Sequence, residues 1–247
     1  MRISKIIHQT YPDKKQLSPE LIKNIAYLEK NNKGWEYRLY EDKDIFDYVA
    51  LNFGTKVLSL IENINKKYSV VIADIFRYMV VYKEGGIYLD IKSTAARPLD
   101  EIIKPDDAYL ISQWRNQLGF KFQGWGLHEE LNRIPGGEFQ NWFVAAEKNH
   151  PFLSGVIKKT LSNIDGYSIE KFGVGKKGVL KVSGPIMYTL TIAAMLKGNE
   201  FRIIDSASSG LIYSIYNKNQ EHSKNFKHNY MFQTEGIVNN RPSNGNP

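Results

Sequence analysis

A chain of 247 residues with 42% hydrophobic and 13% aromatic side chains is long and apolar enough to bury a core of its own, which excludes a disordered polymer. It contains no cysteine, so disulfides, thiolate metal sites and cysteine nucleophiles are excluded. Its 33 Lys and Arg against 26 Asp and Glu leave a net charge of +7, spread in pairs such as Lys14–Lys15 and Lys176–Lys177, which suits an anionic ligand or surface without selecting one.

The opening "ISKIIHQTY" predicts a first strand. After Pro12, the run Ser18-Pro19-Glu20 supplies a cap, a proline at the first helical position and an acid, and so predicts a helix start. "WEYRLY" (35–40) alternates like a second strand, and Asp42 and Asp44 are candidate caps for the helix that follows. Residues 55–83 read as helix broken near Tyr68-Ser69 and stopped by Gly85-Gly86. "IYLDI", "AYLISQW" (108–114) and "NWFVAA" (141–146) predict further strands, the last leading past His150-Pro151 into an amphipathic helix. Residues 165–181, with Gly166, Gly173, Gly175 and Gly178 among lysines, read as a mobile loop. Strands alternating with helices predict an α/β domain whose mostly parallel central sheet is flanked by helices, with ligands gathered at the carboxyl ends of the strands.

The expected organisation is a single domain over residues 1–237 with 238–247 as a disordered tail. The most apolar window, "SVVIADIFRYMVVY", is interrupted by Asp74 and Arg77 and falls short of the roughly 20 apolar residues of a membrane span. The apolar stretch at the N-terminus is too short for a secretory signal, so a cytoplasmic location is expected.

Chemistry-bearing residues concentrate between positions 74 and 92. Asp74 and Arg77, three apart, share one helix face; in isolation they would be a surface ion pair worth a few tenths of a kcal/mol. Along the strand, Asp90 and Lys92 are two apart and so point to one side, while Ile87, Leu89 and Ile91 fill the other.

Taken whole, "ADIFRYMVVYKEGGIYLDIKS" resembles the core signature of glycosyltransferase family 32 and the related glucosylating bacterial toxins: an Asp-x-x-Arg helix, a Gly-Gly turn and an Asp-x-Asp strand end. "KIIHQTYP", Trp35 to Asp42, "NWFVAAEKNHPFL" and "VSGPIMYT" resemble further landmarks of that family in the same order. The resemblance implies a GT-A-like fold and retaining transfer of a hexose from a nucleotide-sugar donor, a UDP-sugar in first place, to a glycan or lipid-linked acceptor in bacterial surface polysaccharide synthesis. It implies donor contacts from Asp74 and Arg77, from His8, Gln9 and Tyr11 at the end of the first strand, and from Gln140 and Asn141, with Asp90 and Lys92 at the catalytic strand end.

Lys92 departs from the family pattern, because a second Asp there would help hold Mn²⁺ or Mg²⁺ against the diphosphate. An ammonium about 4 Å from a divalent ion is repelled by about 8 kcal/mol at an effective dielectric of about 20. The metal is thereby disfavoured, with Asp90, His222 and His228 its remaining candidate ligands. Lys92 then either supplies positive charge to the leaving diphosphate, or turns away and leaves a metal to other ligands, or marks a lost activity. The alternative function is accordingly an inactive nucleotide-sugar or glycan-binding module. No nucleic-acid motif accompanies the positive charge, and scattered lysines suggest at most loose attachment to an acidic inner membrane face.

Overall fold

A computed structural model describes residues 1–216 and 230–239. Its strands are β1 (Ile6–Thr10), β2 (Glu36–Tyr40), β3 (Gly86–Leu89), β4 (Thr94–Ala95), β5 (Tyr109–Ser112), β6 (Phe143–Ala146), β7 (Arg202–Ile204) and β8 (Leu211–Ile212). Six of them form one sheet in the order β2-β1-β3-β6-β5-β7, while β4 and β8 make a separate two-stranded ribbon. β1 is parallel to β2 and β3, and β5 to β7; only β6 is reversed, antiparallel to both β3 and β5. The expected α/β class with a mostly parallel sheet is what forms.

Strand alternation divides the core between the two sheet faces. Tyr88, Val144 and Ala146 join the cluster under the helices α4 (Ser69–Glu84), α6 (Pro151–Asp165), α8 (Gly175–Val182) and α9 (Pro185–Ala193). Ile87, Leu89, Phe143 and Ala145 join the opposite cluster, under α1 (Pro19–Asn31) and α5 (Leu99–Ile102). α1 begins as its sequence predicts, with the Ser18 side chain accepting from the Leu21 amide and Pro19 in the first turn.

Several local expectations need correction. The helix α2 (Asp42–Phe53) is capped by Glu41, whose side chain and that of Asp44 form a reciprocal capping box, so Asp42 is not the cap. Residues 165–181 are no loop: they form α7 (Ile169–Phe172) and α8, because Phe172, Val179 and Val182 bury an apolar face that outweighs the glycine punctuation. Val238 bridges to Ile64, and the Asn239 amide donates to the Asn63 carbonyl at 2.9 Å, so backbone pairing continues past the expected boundary at 237. Residues 240–247 lie outside the described residues. Among the described residues no helix is long and apolar enough to cross a membrane.

The turn from α4 into β3 fixes the site. Gly85 and Gly86 adopt φ of +67° and +95°, a region that side chains with a Cβ avoid. A Cβ on Gly86 would collide with the carbonyl oxygen of Ile6. Helix and strand therefore meet at a sharp corner packed directly on β1.

Candidate active site

α4 is buried along most of its length, and Asp74 and Arg77 are only 4% and 5% exposed. They are thus not the surface pair that spacing alone suggests. Arg77 Nη2 lies 3.0 Å from Asp74 Oδ1 and 3.3 Å from Asp90 Oδ1, and Nη1 donates to the Asn141 carbonyl at 2.5 Å. The guanidinium carbon stands 4.9 Å from the Tyr88 ring centroid. Asp74 uses its other oxygen to accept from Ser183 Oγ at 2.8 Å. Burial pushes the Asp74 carboxyl up, against the opposing pull of Arg77 and Ser183. For Arg77, burial lowers the pKa but Asp90 and Asp74 outweigh it, so the guanidinium is held charged.

β3 ends at Leu89. The Asp90 amide donates to the Trp142 carbonyl at 2.8 Å, and the Ser93 amide donates back to the Asp90 carbonyl at 2.7 Å, closing a tight turn through Ile91 and Lys92. Strand alternation therefore does not carry Lys92 onto the Asp90 side. Its ammonium donates to the Tyr213 hydroxyl at 2.8 Å and stands 4.2 Å from the centre of that ring. Among the described residues Asp90 forms its ion pair with Arg77.

The strand ends open onto a cavity of about 700 Å³, within the usual size range of small-molecule sites. Tyr11, Asp74, Arg77, Asp90, Lys92 and Asn141 all line it, as do Lys176 on α8 and the Gly184-Pro185 turn. His8, Gln9 and Gln140 do not line it. His8 is fully buried, with Nε2 donating to the Gly85 carbonyl at 2.9 Å and Nδ1 accepting from the Tyr40 hydroxyl at 3.1 Å. Burial lowers its pKa to about 4, so the ring is neutral. Gln9 donates to the Asp90 carbonyl at 3.1 Å and accepts from the Tyr37 hydroxyl at 2.7 Å, bracing the turn from beneath. Gln140 is 4% exposed, and its buried Oε1 has no hydrogen-bond partner among the described residues. His222 and His228 lie outside the described residues.

Sequence reading missed the aromatic side of the cavity. Trp114 Nε1 donates to Glu138 Oε1 at 2.6 Å, and His128 Nε2 pairs with Glu138 Oε2 at 2.8 Å. Trp125 and Tyr213 pack edge-on against Trp114, with centroids 5.2 and 5.1 Å away. The only sequence signal was a tryptophan set between glycines in "QGWG" (123–126).

Among the described residues the donor set does not fit a divalent ion. Among the described residues no three His, Cys, Asp or Glu side chains converge as ligands, whereas hard cations take several oxygen ligands. Asp90 is already held by Arg77, and the place of a second acid is taken by the Lys92 ammonium.

Residues 18–109, which carry Asp74, Arg77, Asp90 and Lys92, match the family described as a glycosyltransferase sugar-binding region containing a DXD motif. Over this region the chain is similar to glycosyltransferases of the family 32 type. Over 198 residues it is 24% identical to the initiation-specific alpha-1,6-mannosyltransferase of Candida albicans, covering 73% of this chain and 49% of that protein. Over 160 residues it is 25% identical to inositol phosphoceramide mannosyltransferase 3 of Schizosaccharomyces pombe, covering 63% of this chain and 36% of that one. The chain thus spans half or less of these curated relatives. The solved PaToxG glycosyltransferase shares the fold, with a TM-score of 0.56 and 21% identity over 79% of this chain and 71% of that one. The architecture is therefore GT-A-like.

Proposed function

We propose that the protein is a retaining hexosyltransferase that moves a sugar from a nucleotide-sugar donor to a glycan or lipid-linked acceptor in surface polysaccharide synthesis. One observation carries the reading: Arg77 holds Asp74 and Asp90 together, 3.0 and 3.3 Å away, in the wall of a cavity at the strand ends. Two carboxylates fixed around one guanidinium form a rigid acceptor pair for the vicinal hydroxyls of a hexose. The mannosyltransferase names of the two fungal relatives support hexose transfer, and the inositol phosphoceramide in one of them supports a lipid-linked acceptor.

Transfer expels a nucleoside diphosphate, so the site must meet negative charge that grows in the transition state. Lys92 and Lys176, both in the cavity wall, are the proposed cations for this role. Asp90 and Arg77 then orient the sugar beside them, and Asn141 adds an amide to the same wall. A UDP-sugar is the first donor to try, with a GDP-hexose beside it.

The test is release of nucleoside diphosphate from a panel of nucleotide hexoses, with and without Mn²⁺, together with thermal stabilisation by each donor. Turnover with at least one donor is expected, reduced about a hundredfold in folded Asp74→Asn and Arg77→Lys variants. Full turnover in both variants would refute the assignment of these residues. The alternative, a sugar-nucleotide-binding module without turnover, draws on Lys92 in place of the second acid; stabilisation by a donor with no release of diphosphate would favour it.

A further inference from the structure

The aromatic side of the cavity continues into a surface loop, and the sequence "RNQLGFKFQGWGLH" (115–128) contains no acid. Leu118, Phe120, Trp125 and Leu127 are 85%, 48%, 45% and 60% exposed. Elsewhere exposed apolar side chains such as Ile22, Leu51 and Ile169 occur singly in sequence, which is ordinary for a soluble surface. Four within ten positions is not, and such clusters mark interaction surfaces. A second pair, Met231 and Phe232, is 38% and 79% exposed and borders the same cavity through Met231.

The loop is held in shape rather than loose. The Gly124 amide donates to the Asn116 carbonyl at 2.9 Å, Asn116 Nδ2 donates to the Trp125 and Gly136 carbonyls at 2.9 and 3.0 Å, and the Glu138 amide donates to the Gly126 carbonyl at 2.9 Å. Phe122 packs on Trp114 at 4.7 Å between centroids, anchoring the loop base. Leu118 and Phe120 are outside the cavity wall; the Phe120 backbone accepts from the Gln123 amide at 3.1 Å, and the Arg115 guanidinium stands 5.7 Å from its ring centroid. Lys121 is exposed between Phe120 and Phe122, and Arg115 pairs with Asp205 at the start of the loop.

Large apolar and aromatic tips flanking the Lys121 cation, in a segment that itself carries no acid, match the boundary between acyl chains and anionic headgroups. The net charge of +7 favours the same partner. We propose that residues 115–127 are the docking surface for an anionic lipid membrane, which they enter through Leu118 and Phe120. The cavity would thereby face the headgroup layer where a lipid-linked acceptor is presented; this use of the surface rests on the transfer reading, whereas the docking itself does not.

Flotation of the full chain with phosphatidylcholine vesicles, and with vesicles that also contain phosphatidylglycerol, tests the proposal. The native chain should float with the anionic vesicles and stay partly bound in high salt, because insertion adds to charge attraction. The double variant Leu118→Ser/Phe120→Ser should lower partitioning about tenfold, and Lys121→Glu should weaken binding at low salt only. None of Leu118, Phe120 and Lys121 lines the cavity, so hydrolysis of the donor in solution should be unchanged in all of these variants. Absence of native flotation, or flotation that the double variant retains, overturns the docking surface whatever the turnover. Failure of donor turnover with loop-dependent flotation intact would sink the transfer reading instead.

Discussion

Removing the Arg77 guanidinium should cost far more than an ordinary helix ion pair. Arg77 is 5% exposed, and among the described residues it is the ion-pair partner of both Asp74, 4% exposed, and Asp90. Arg77→Ala leaves a buried carboxylate with, among the described residues, the Ser183 hydroxyl alone to oppose its desolvation. Breaking a buried pair from one side typically costs about 3–5 kcal/mol, a large share of the roughly 5–15 kcal/mol that holds a domain folded. Alanine at Arg77 therefore cannot be assumed to leave the fold intact, contrary to what a surface pair would allow.

The same reasoning fixes the pH dependence. Burial already raises the Asp74 carboxyl, and loss of Arg77 raises it further above its unfolded value. The folded variant then binds a proton more readily than the unfolded chain, so its stability relative to the native protein improves as pH falls toward the raised pKa. Urea unfolding of the native chain, Arg77→Ala and Arg77→Ala/Asp74→Asn at about pH 7 and about pH 5 measures this. The single variant should lose about 3–5 kcal/mol at the higher pH, with a smaller deficit at the lower, and the double variant should recover a substantial part. A loss below about 1 kcal/mol, or a deficit indifferent to both pH and Asp74, would refute the buried-pair argument.

His8, lowered from 6.5 to about 4 by burial, contributes stability that is complete above about pH 6.5 and lost as pH falls toward 4, roughly 3 kcal/mol in all; an NMR titration with its midpoint at or above the unfolded value would contradict this. Lys92→Ala should weaken donor binding about tenfold without unfolding the protein, and Lys92→Asp should make turnover depend on Mn²⁺ by restoring the paired acids that hard cations favour; native donor affinity in Lys92→Ala would remove Lys92 from the site. Gly86→Ala, at φ +95° and against the Ile6 carbonyl, should destabilise the fold by about 1–3 kcal/mol, and an unchanged urea midpoint would show that the α4–β3 corner can relax.

Elements with strong local signals were legible. The Ser18-Pro19 start, the break at Tyr68-Ser69 and the Gly85-Gly86 stop each have a steric or hydrogen-bonding cause within a few residues. β7 was missed because it is only three residues long and leaves Ile203 69% exposed, so it shows no buried-strand pattern. α8 was obscured by Gly173, Gly175 and Gly178, although its apolar positions pack against the core. In the site, proximity along the chain misled where direction mattered. His8 and Gln9 immediately precede cavity residues, yet their side chains are spent on Gly85, Tyr40, Tyr37 and the Asp90 backbone. Glu138 and His128 meet only through a long loop, and no local rule joins them.

The charge arithmetic of the turn bears on why an ammonium is compatible with a fold whose relatives are described by paired acids. Replacing Asp by Lys at one position adds two positive charges, the same increment that a divalent ion adds to an Asp-x-Asp pair. The two routes differ in rigidity. A bound ion is held by its ligands, whereas a lysine must be held by the protein, since a free ammonium on a flexible stem gains little from preorganisation. Here the Lys92 ammonium is fixed against Tyr213, and that segment is tied to the turn by the Ser93 hydroxyl donating to the Tyr213 carbonyl at 2.7 Å and the Ile215 amide donating to the Lys92 carbonyl at 2.8 Å. Trp142 also packs edge-on with Tyr213, 5.7 Å between centroids. The lysine is thus positioned before any ligand arrives. Tyr213→Phe, which removes the hydroxyl but keeps the ring, separates the two contributions: if the hydrogen bond positions the cation, donor affinity should fall toward that of Lys92→Ala, and if the ring alone suffices, it should stay native. A Tyr213→Ala variant with native affinity would show that the ammonium needs neither, and would remove the argument that Lys92 is a preorganised charge.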